Sequence, residues 1–279
     1  MEHVVRTFWA AQLQSAQAQG LPFTAPEYTT LNEKLGILPV VALTPGTYPI
    51  AKYFAIGNGG HDVIAGANGI PVPKIRQHSA VDAALFNQLP FVLRQTGDDI
   101  APAERARYGL RKEITVGGTT YVAYYLRRID TSLATIALEK RTVVDGVTSV
   151  ASYVPTAANL NPVPVNASNS GVNVVSGDYV TCTTQLSLAF SASDISELLN
   201  VSNILYNSDD YAIISEIAFC SGYDKVINVT AATGNFNFND AIQVQANCFI
   251  ACHHLAKYLS QGLNKTIDVG SNYPLYNLS

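Results

Sequence analysis

The segment KEITVGGTTYVAYYLRRID, residues 112–130, predicts a β-hairpin. Its two runs are rich in β-branched and aromatic residues, which favour strands. The pair Gly117–Gly118 stands between the runs, where a tight two-residue turn needs positive φ at both positions. The segment KRTVVDGVTSVASYV, residues 140–154, repeats the pattern with Asp145–Gly146 at its turn. Two successive hairpins predict an antiparallel sheet.

Other segments predict further strands and several helices. Alternating or continuous apolar runs indicate strands, whereas apolar residues three and four positions apart indicate helices. We expect further strands in residues 37–43, 48–57, 179–192 and 212–222, and helices in residues 3–19, 79–90, 102–109, 193–203 and 240–259. The predicted fold class is therefore α+β, with an antiparallel β-sheet core of hairpins, several flanking helices, and long loops or arms.

Residues 1–279 are expected to form a single domain. Residues 155–178, PTAANLNPVPVNASNSGVNVVSGD, are rich in Pro, Asn and Ser and predict an extended arm or long loop. A subdivision of the domain near this segment is left open. The closing segment TIDVGSNYPLYNLS, residues 266–279, is also expected to be extended and to form a second contact arm.

Charged residues are scarce in this chain. Asp, Glu, Lys and Arg make up 14% of it, against roughly 25% in an average soluble protein. Neutral hydroxyl and amide groups cost less to desolvate than charges, and interfaces are depleted in Lys, Glu and Asp and enriched in Tyr. The composition therefore favours a surface that assembles. An ordinary neutral domain is the alternative, since β-rich chains contain much Thr anyway.

Two classes of partner are disfavoured. The net charge of −4 and the lack of a basic stripe argue against sequence-specific nucleic-acid binding. The one basic cluster, Arg105, Arg107, Arg111 and Lys112, predicts one face or end of a solvated helix. No apolar run reaches the ~18 residues of a membrane span. The N-terminal segment lacks the apolar stretch of a signal peptide, so we expect synthesis in the cytoplasm and no membrane partner.

The motif GNGGH, residues 57–61, is the most conspicuous candidate for chemistry. Glycines beside a histidine can bind an anion through backbone amides or position an imidazole. No lysine of a phosphate-binding loop follows, and no helix with dinucleotide-binding spacing begins there. A glycine turn in a loop is the simpler interpretation. The alternative of another class is a monomeric binding module or hydrolase that uses this loop and has a pocket around His61.

The cysteines are the second candidate for chemistry. Cys248, Cys252 and the following His253–His254 could bind a metal, with Cys182 and Cys220 completing the set. Structural zinc sites usually take ligand pairs from two segments with knuckle spacing, which this chain lacks. Buried free thiols are the favoured interpretation, since cysteine packs as a small hydrophobe. We predict no metal and no cofactor.

Glu216 is a carboxylate inside the apolar strand AIISEIAFCSG, residues 212–222. It could be a tuned acid, a buried partner of Arg or Lys, or a group at a one-sided strand that faces water or another subunit. A contact or an ion pair is favoured over catalysis. No GxSxG motif occurs, and the spacing of the histidines does not support a nucleophilic triad. We predict no catalytic residue and no enzymatic activity.

Taken together and in order, several segments resemble a family of virion structural proteins from tailed bacteriophages. The segments are VRTFWAAQLQSAQAQGLPFTAPEYTTLNEKLGI (5–37), YFAIGNGGH (53–61), LPFVLR (89–94), ARYGLRKE (106–113), YVAYYLRRID (121–130), DGVTSVASYVPTAANLNPVPV (145–165), AIISEIAFCSG (212–222) and NYPLYNLS (272–279). The resemblance extends along nearly the whole chain.

The resemblance implies one virion-protein domain without enzymatic activity, present in many copies as a homo-oligomeric ring. The neck, at the head-to-tail connection, is the first expected position, and the tail or baseplate is the next. The expected partners are other copies of the chain and neighbouring portal, connector, tail or sheath proteins. The expected location is the virion, after synthesis in the host cytoplasm.

Overall fold

Strands dominate the computed structural model of the chain, which describes residues 3–25, 30–37, 46–132, 134–158, 177–259 and 262–272. Strand accounts for 53% and helix for 19% of the structure, and the predicted antiparallel β-sheet core is confirmed. Most of the strand predicted at 37–43, most of the arm at 155–178 and the end of the arm at 266–279 lie outside the described residues.

Strands and helices follow one another along the chain in an irregular order. The strands are β1 (His3–Arg6), β2 (Ile50–Gly57), β3 (His61–Ala65), β4 (Pro71–Ile75), β5 (Gln88–Leu89), β6 (Val92–Gln95), β7 (Tyr108–Val116), β8 (Thr119–Arg128), β9 (Ile136–Val144), β10 (Val147–Ser152), β11 (Gly177–Phe190), β12 (Ile213–Ala231), β13 (Gly234–Leu255) and β14 (Leu263–Asn272). The helices are α1 (Phe8–Gln19), α2 (Thr30–Leu35), α3 (Pro102–Arg105) and α4 (Ala192–Tyr206).

The chain divides into two compact units. The first unit contains Met1–Ile129 and Ala189–Asn264, and the second contains Asp130–Leu188 and Lys265–Ser279. In the first unit, an eight-stranded sheet has the order β1-β13-β12-β2-β8-β6, with β5 beside β2 and β7 beside β8, and β3 and β4 form a separate ribbon. The second unit is built on a four-stranded sheet with the order β10-β9-β11-β14. The described ends of the segment where a subdivision was left open, residues 155–158 and 177–178, belong to the second unit.

Both predicted hairpins are confirmed. β7 and β8 pair with Val116 opposite Thr119, and β9 and β10 pair with Val144 opposite Val147. Gly117 and Gly118 have φ of 56° and 83°, and the Asp145–Gly146 turn has φ of 51° and 77°. Positive φ at both turn positions matches the right-handed twist of the flanking strands. The strands predicted at 48–57, 179–192 and 212–222 also form, as β2, β11 and part of β12.

The helix predicted over 240–259 is wrong, because β13 runs as a strand to Leu255. β13 lies between β1 and β12 in the eight-stranded sheet. A strand buried on both faces has a continuous apolar run instead of alternation, and such a run also fits helical spacing. A bulge adds to the ambiguity: Gln243 has φ of 51°, and the register with β12 shifts nearby.

One further helix prediction is wrong, and another holds only for its first turn. Residues 79–90 form a turn and the short strand β5, because the carboxylate of Asp82 folds back to accept a hydrogen bond from the amide of Ser79 at 2.8 Å. In 102–109, helix α3 ends at Arg105 and β7 begins at Tyr108. Gly109 lies inside β7, where an added Cβ would come within 2.5 Å of the Tyr53 ring, so this glycine serves close packing instead of ending a helix.

The remaining helix predictions hold in part. Residues 3–6 form β1 and pair with β13, and α1 begins only after Thr7, whose side chain accepts a hydrogen bond from the amide of Ala10. α4 covers the predicted 193–203 and continues to Tyr206. Its capping box joins Ser191 and Asp194.

Candidate functional site

A row of three side chains is the strongest chemical constellation in the first unit. Nδ1 of His78 lies 3.0 Å from Oδ2 of Asp82, and Nε2 of His78 lies 2.8 Å from Oε2 of Glu216. His78 and Asp82 come from the loop between β4 and β5, and Glu216 comes from the middle of β12. The predicted partner of Glu216, an arginine or lysine, is therefore wrong, because a histidine occupies that place.

Backbone amides fill the rest of the Glu216 carboxylate. Oε1 accepts hydrogen bonds from the amides of Gly59 and Asn87 at 3.0 and 2.9 Å. Oε2 accepts one from the amide of Phe86 at 2.9 Å. With His78, four donors surround a side chain that has no exposed surface. A buried carboxylate is tolerated when its oxygens are satisfied in this way.

The glycines of GNGGH let the chain approach β12 closely. A Cβ at Gly57 would lie 2.5 Å from Oε1 of Glu216, and one at Gly60 would lie 2.4 Å from the carbonyl oxygen of Ser215. The amide of Gly60 also donates to the Ser215 hydroxyl at 2.9 Å. The amides of Gly59 and Gly60 thus bind the protein itself, and the motif is a packing loop against β12.

Aromatic rings enclose the histidine of the row. His78 is stacked between Phe86 and Phe249, with ring centroids 4.1 and 4.0 Å away and nearly parallel planes. Its side chain is only 1% exposed. The row of Asp82, His78 and Glu216 resembles an acid–base relay in outline, but His78 and Glu216 are both enclosed by protein. Together with the amide of Gly59, the row joins three chain segments: the β2–β3 loop, the β4–β5 loop and strand β12.

His61 lies at the base of the ribbon formed by β3 and β4. Its ring contacts the His253 ring edge to face, with centroids 5.2 Å apart. Partial burial and then the neighbouring charge of His253 lower the pKa of His61. Beside it, a shallow surface depression is lined by Asp62, Ile64, Lys74, Ile75, Arg76 and Gln77.

The cysteines lie on strands. Cys220, Cys248 and Cys252 are buried in β12 and β13, and Cys182 is half-buried in β11. Burial raises the pKa of Cys220, and it raises the pKa of Cys248 to about 12. Within the described part of the chain, no three His, Cys, Asp or Glu side chains are grouped closely enough to hold a metal ion. Cys220 and Cys248 are thus core residues whose thiols resist ionisation.

We expect the double variant Cys248→Ala, Cys252→Ala to lose about 1–3 kcal/mol of stability, since both side chains pack in the core. Its metal content, measured by elemental mass spectrometry, should match that of the unaltered protein and be near zero. The finding that contradicts this interpretation is stoichiometric zinc in the unaltered protein that is lost in the double variant.

The prediction that the basic cluster marks a solvated helix is wrong. Arg105 and Arg111 both pair with Asp99, at 3.7 and 3.3 Å, and Arg107 pairs with Asp194 at 2.9 Å. Nζ of Lys112 donates to the carbonyl of Gly36 at 3.3 Å. The cluster is spread over α3 and β7, and internal partners use its charges. Pairing with acids elsewhere in the chain has no sequence signature. The four basic residues by themselves therefore predicted the face of a solvated helix.

A second ion cluster surrounds Asp224 on β12. Lys52 and Arg128 approach its carboxylate at 2.6 and 2.8 Å, and the Tyr53 hydroxyl donates to it. These partners hold the pKa of Asp224 below its ordinary range despite burial. Nearby, burial raises the pKa of Asp240 to about 6. No described residue donates a hydrogen bond to Oδ1 of Asp240.

Asp240 should make the stability of the protein depend on pH. Its pKa is raised in the folded state from an ordinary 3.8, so its contribution to stability is lost as the pH rises through about 6. We expect Asp240→Asn to stabilise the protein at pH 8 by about 1 kcal/mol, a value that allows for solvent screening. At pH 4 the substitution should change the stability little. Thermal unfolding at both pH values tests this, with Asp98→Asn as the exposed control. Destabilisation by Asp240→Asn at pH 8 is the contrary result.

Large apolar side chains are exposed on two hairpins. In the β3–β4 ribbon, Val63 and Ile70 are each 63% exposed, and Ile64 and Val72 are also exposed. In the second unit, the hairpin of β9 and β10 exposes Ile136, Val144, Val147 and Val150. No helix in the described residues is long and apolar enough to cross a membrane.

Comparison with known proteins gives a family for the whole chain. A family model described as "Family of unknown function (DUF7208)" matches residues 1–279. The chain belongs to this family. No curated protein and no solved structure matches it. Proposals on the role of this DUF7208 chain therefore rest on its geometry.

Proposed function

We propose that this chain is a non-enzymatic structural subunit of a tailed-phage particle, which assembles as a ring in the neck, at the head-to-tail connection. A position in the tail or baseplate is the alternative. The order and extent of the segments that resemble phage virion proteins support the origin. Its partners would be further copies of itself and neighbouring portal, connector, tail or sheath proteins in the virion, after synthesis in the host cytoplasm.

The β3–β4 ribbon is the observation that carries the proposal. Its two strands pair with each other and with no other described strand. Val63 and Ile64 are adjacent in β3, so they point to opposite faces, and both are exposed. An isolated two-stranded ribbon is marginally stable in water. An exposed apolar ribbon of this kind is suited to burial against another subunit.

The use of charge inside the first unit supports the same proposal. Arg107 and Arg127 both bind Asp194, and Arg105 and Arg111 bind Asp99. In a chain with few charges, these internal pairs lower the number of charges on the outer surface further. Such a surface costs little to desolvate when subunits meet.

We further propose that the fold belongs to the α+β class. α4 buries Ile195, Leu198 and Val201, and the side-chain amide of Asn200 donates to the carbonyl of Leu93 on β6 at 3.0 Å. A long helix bound to an antiparallel sheet is the arrangement that this class describes.

Electron microscopy of the purified protein, together with a ribbon variant, tests the proposal. We expect images of one closed ring. The double variant Val63→Asp, Ile70→Asp should release smaller species, because charge at the ribbon opposes burial. Val81→Asp, at a residue equally exposed outside the ribbon, is the matched control and should leave the rings intact. Monomers in the images of the unaltered protein would reject ring assembly.

A further inference from the structure

Strand β10 has an open outer edge in the second unit. It is the last strand of the four-stranded sheet, and its six residues, VTSVAS, are all exposed. Its inner edge pairs with β9, while no described strand pairs with its outer edge. An open strand edge presents a row of backbone N–H and C=O groups that can bind another strand.

The turn geometry identifies the groups on that outer edge. In a two-residue hairpin, the two residues that flank the turn hydrogen-bond to each other through both backbone groups. Here they are Val144 and Val147, so the N–H and C=O of Val147 point toward β9. Alternation then directs the N–H and C=O of Thr148, Val150 and Ser152 outward. The amide of Tyr153 donates to the carbonyl of Leu138 at 2.8 Å, as an inward-facing position should.

The edge of β10 lacks the features with which proteins block strand pairing. It contains no charge, no proline and no bulge, and a strand so composed is a template for another chain. Strand β4 of the ribbon is different, because it carries Pro71 and Pro73, which have no N–H to donate. Strand β4 thus has a feature that blocks strand pairing, and β10 lacks it.

We propose that β10 pairs antiparallel with β10 of a second copy of this chain, about a twofold axis at Val150. In this register Val150 lies opposite its counterpart, and Thr148 lies opposite Ser152 in both directions. Every outward-facing residue then exchanges both of its backbone hydrogen bonds. The two four-stranded sheets become one continuous sheet.

The chemistry of the strand favours a second copy over a foreign peptide. Peptides that add a strand to an edge are selected by pockets for alternate side chains. The side chains of β10 are exposed on both faces and offer no such pocket. An uncharged strand can face its own copy without repulsion, and a twofold interface is self-complementary by construction.

This inference goes beyond the proposed ring and does not depend on it. A twofold contact alone gives a dimer. Combined with a ring, it gives two rings placed back to back. The two proposals can therefore fail separately.

Disulfide trapping tests the register directly, in a Cys182→Ser background. Val150→Cys should cross-link two chains on mild oxidation, since hydrogen-bonded antiparallel neighbours have Cα atoms about 5.5 Å apart, within disulfide range. The control Val147→Cys is more exposed, yet in this register its two copies lie about 20 Å apart and should not cross-link. Equal cross-linking of both variants, or no cross-linking of Val150→Cys, overturns the inference.

Light scattering with Val150→Lys separates the two proposals. The lysines meet at the axis, so the mass should fall by half, while Val150→Thr, which keeps a neutral β-branched residue, should retain the mass of the unaltered protein. A ring whose mass is unchanged by Val150→Lys, without cross-linking, overturns only the β10 contact. A cross-linked dimer without any ring supports the β10 contact and overturns the ring.

Discussion

Replacing Glu216 with alanine is expected to lower the free energy of unfolding by about 3–5 kcal/mol, the range for breaking a buried, bonded pair. The substitution removes an acceptor from His78 and from the amides of Gly59, Phe86 and Asn87. These donors stay buried, and each unsatisfied donor costs about 1–3 kcal/mol before relaxation. Urea unfolding of the purified variant measures the change.

Two companion variants separate the role of the carboxylate from the loss of a side chain. Glu216→Gln keeps the shape but places an NH2 group among donors, so it should fall between the unaltered protein and Glu216→Ala. Glu113→Ala removes a glutamate that is half exposed on β7 and should change stability by less than about 0.5 kcal/mol. Equal, small effects at Glu216 and Glu113 would show that the row does not fasten the loops.

Replacing Asp99 with alanine is expected to cost a similar amount, about 3–5 kcal/mol. The Asp99 side chain has no exposed surface, and it accepts a hydrogen bond from the Tyr124 hydroxyl at 2.6 Å. Arg111 is only 6% exposed and would keep its charge without its main partner. The Cζ atom of Arg105 lies 3.9 Å from the centre of the Phe236 ring. Arg105 would also lose Asp99 as its partner.

The neighbouring residue provides a matched control for this prediction. Asp98 is 77% exposed and pairs with Arg94 at the surface, so Asp98→Ala should change stability by less than about 0.5 kcal/mol. The double variant Asp99→Ala, Arg111→Met should recover part of the loss, because it removes the charge left unpaired. A double variant less stable than Asp99→Ala would contradict the proposed ion pair.

The sequence predicts the hairpins well because their determinants are local. The pairs Gly117–Gly118 and Asp145–Gly146 fix both the turn and the register of the strands that follow. The strand β13 could not be predicted in the same way. Nearly all residues from Ala241 to Cys252 are buried, so both faces of this part of the strand lie in the core, and this tertiary burial removes the alternation that identifies a strand.

The candidate site was predicted only in its separate pieces. Glu216 and the glycines of GNGGH are conspicuous in the sequence, but nothing in the sequence indicates that they meet. His78 and Asp82 were missed as a pair. They lie four positions apart in the sequence, whereas His78 and Glu216 are 138 positions apart and only the fold brings them together. Most donors to Glu216 are backbone amides, which have no sequence signature.

Native mass spectrometry of the purified full chain tests most directly whether its function lies in its interfaces. The chain has a mass of 29.9 kDa. We expect one dominant closed assembly whose mass is a whole multiple of that value and stays constant on dilution. A single species of 29.9 kDa at every concentration would contradict it.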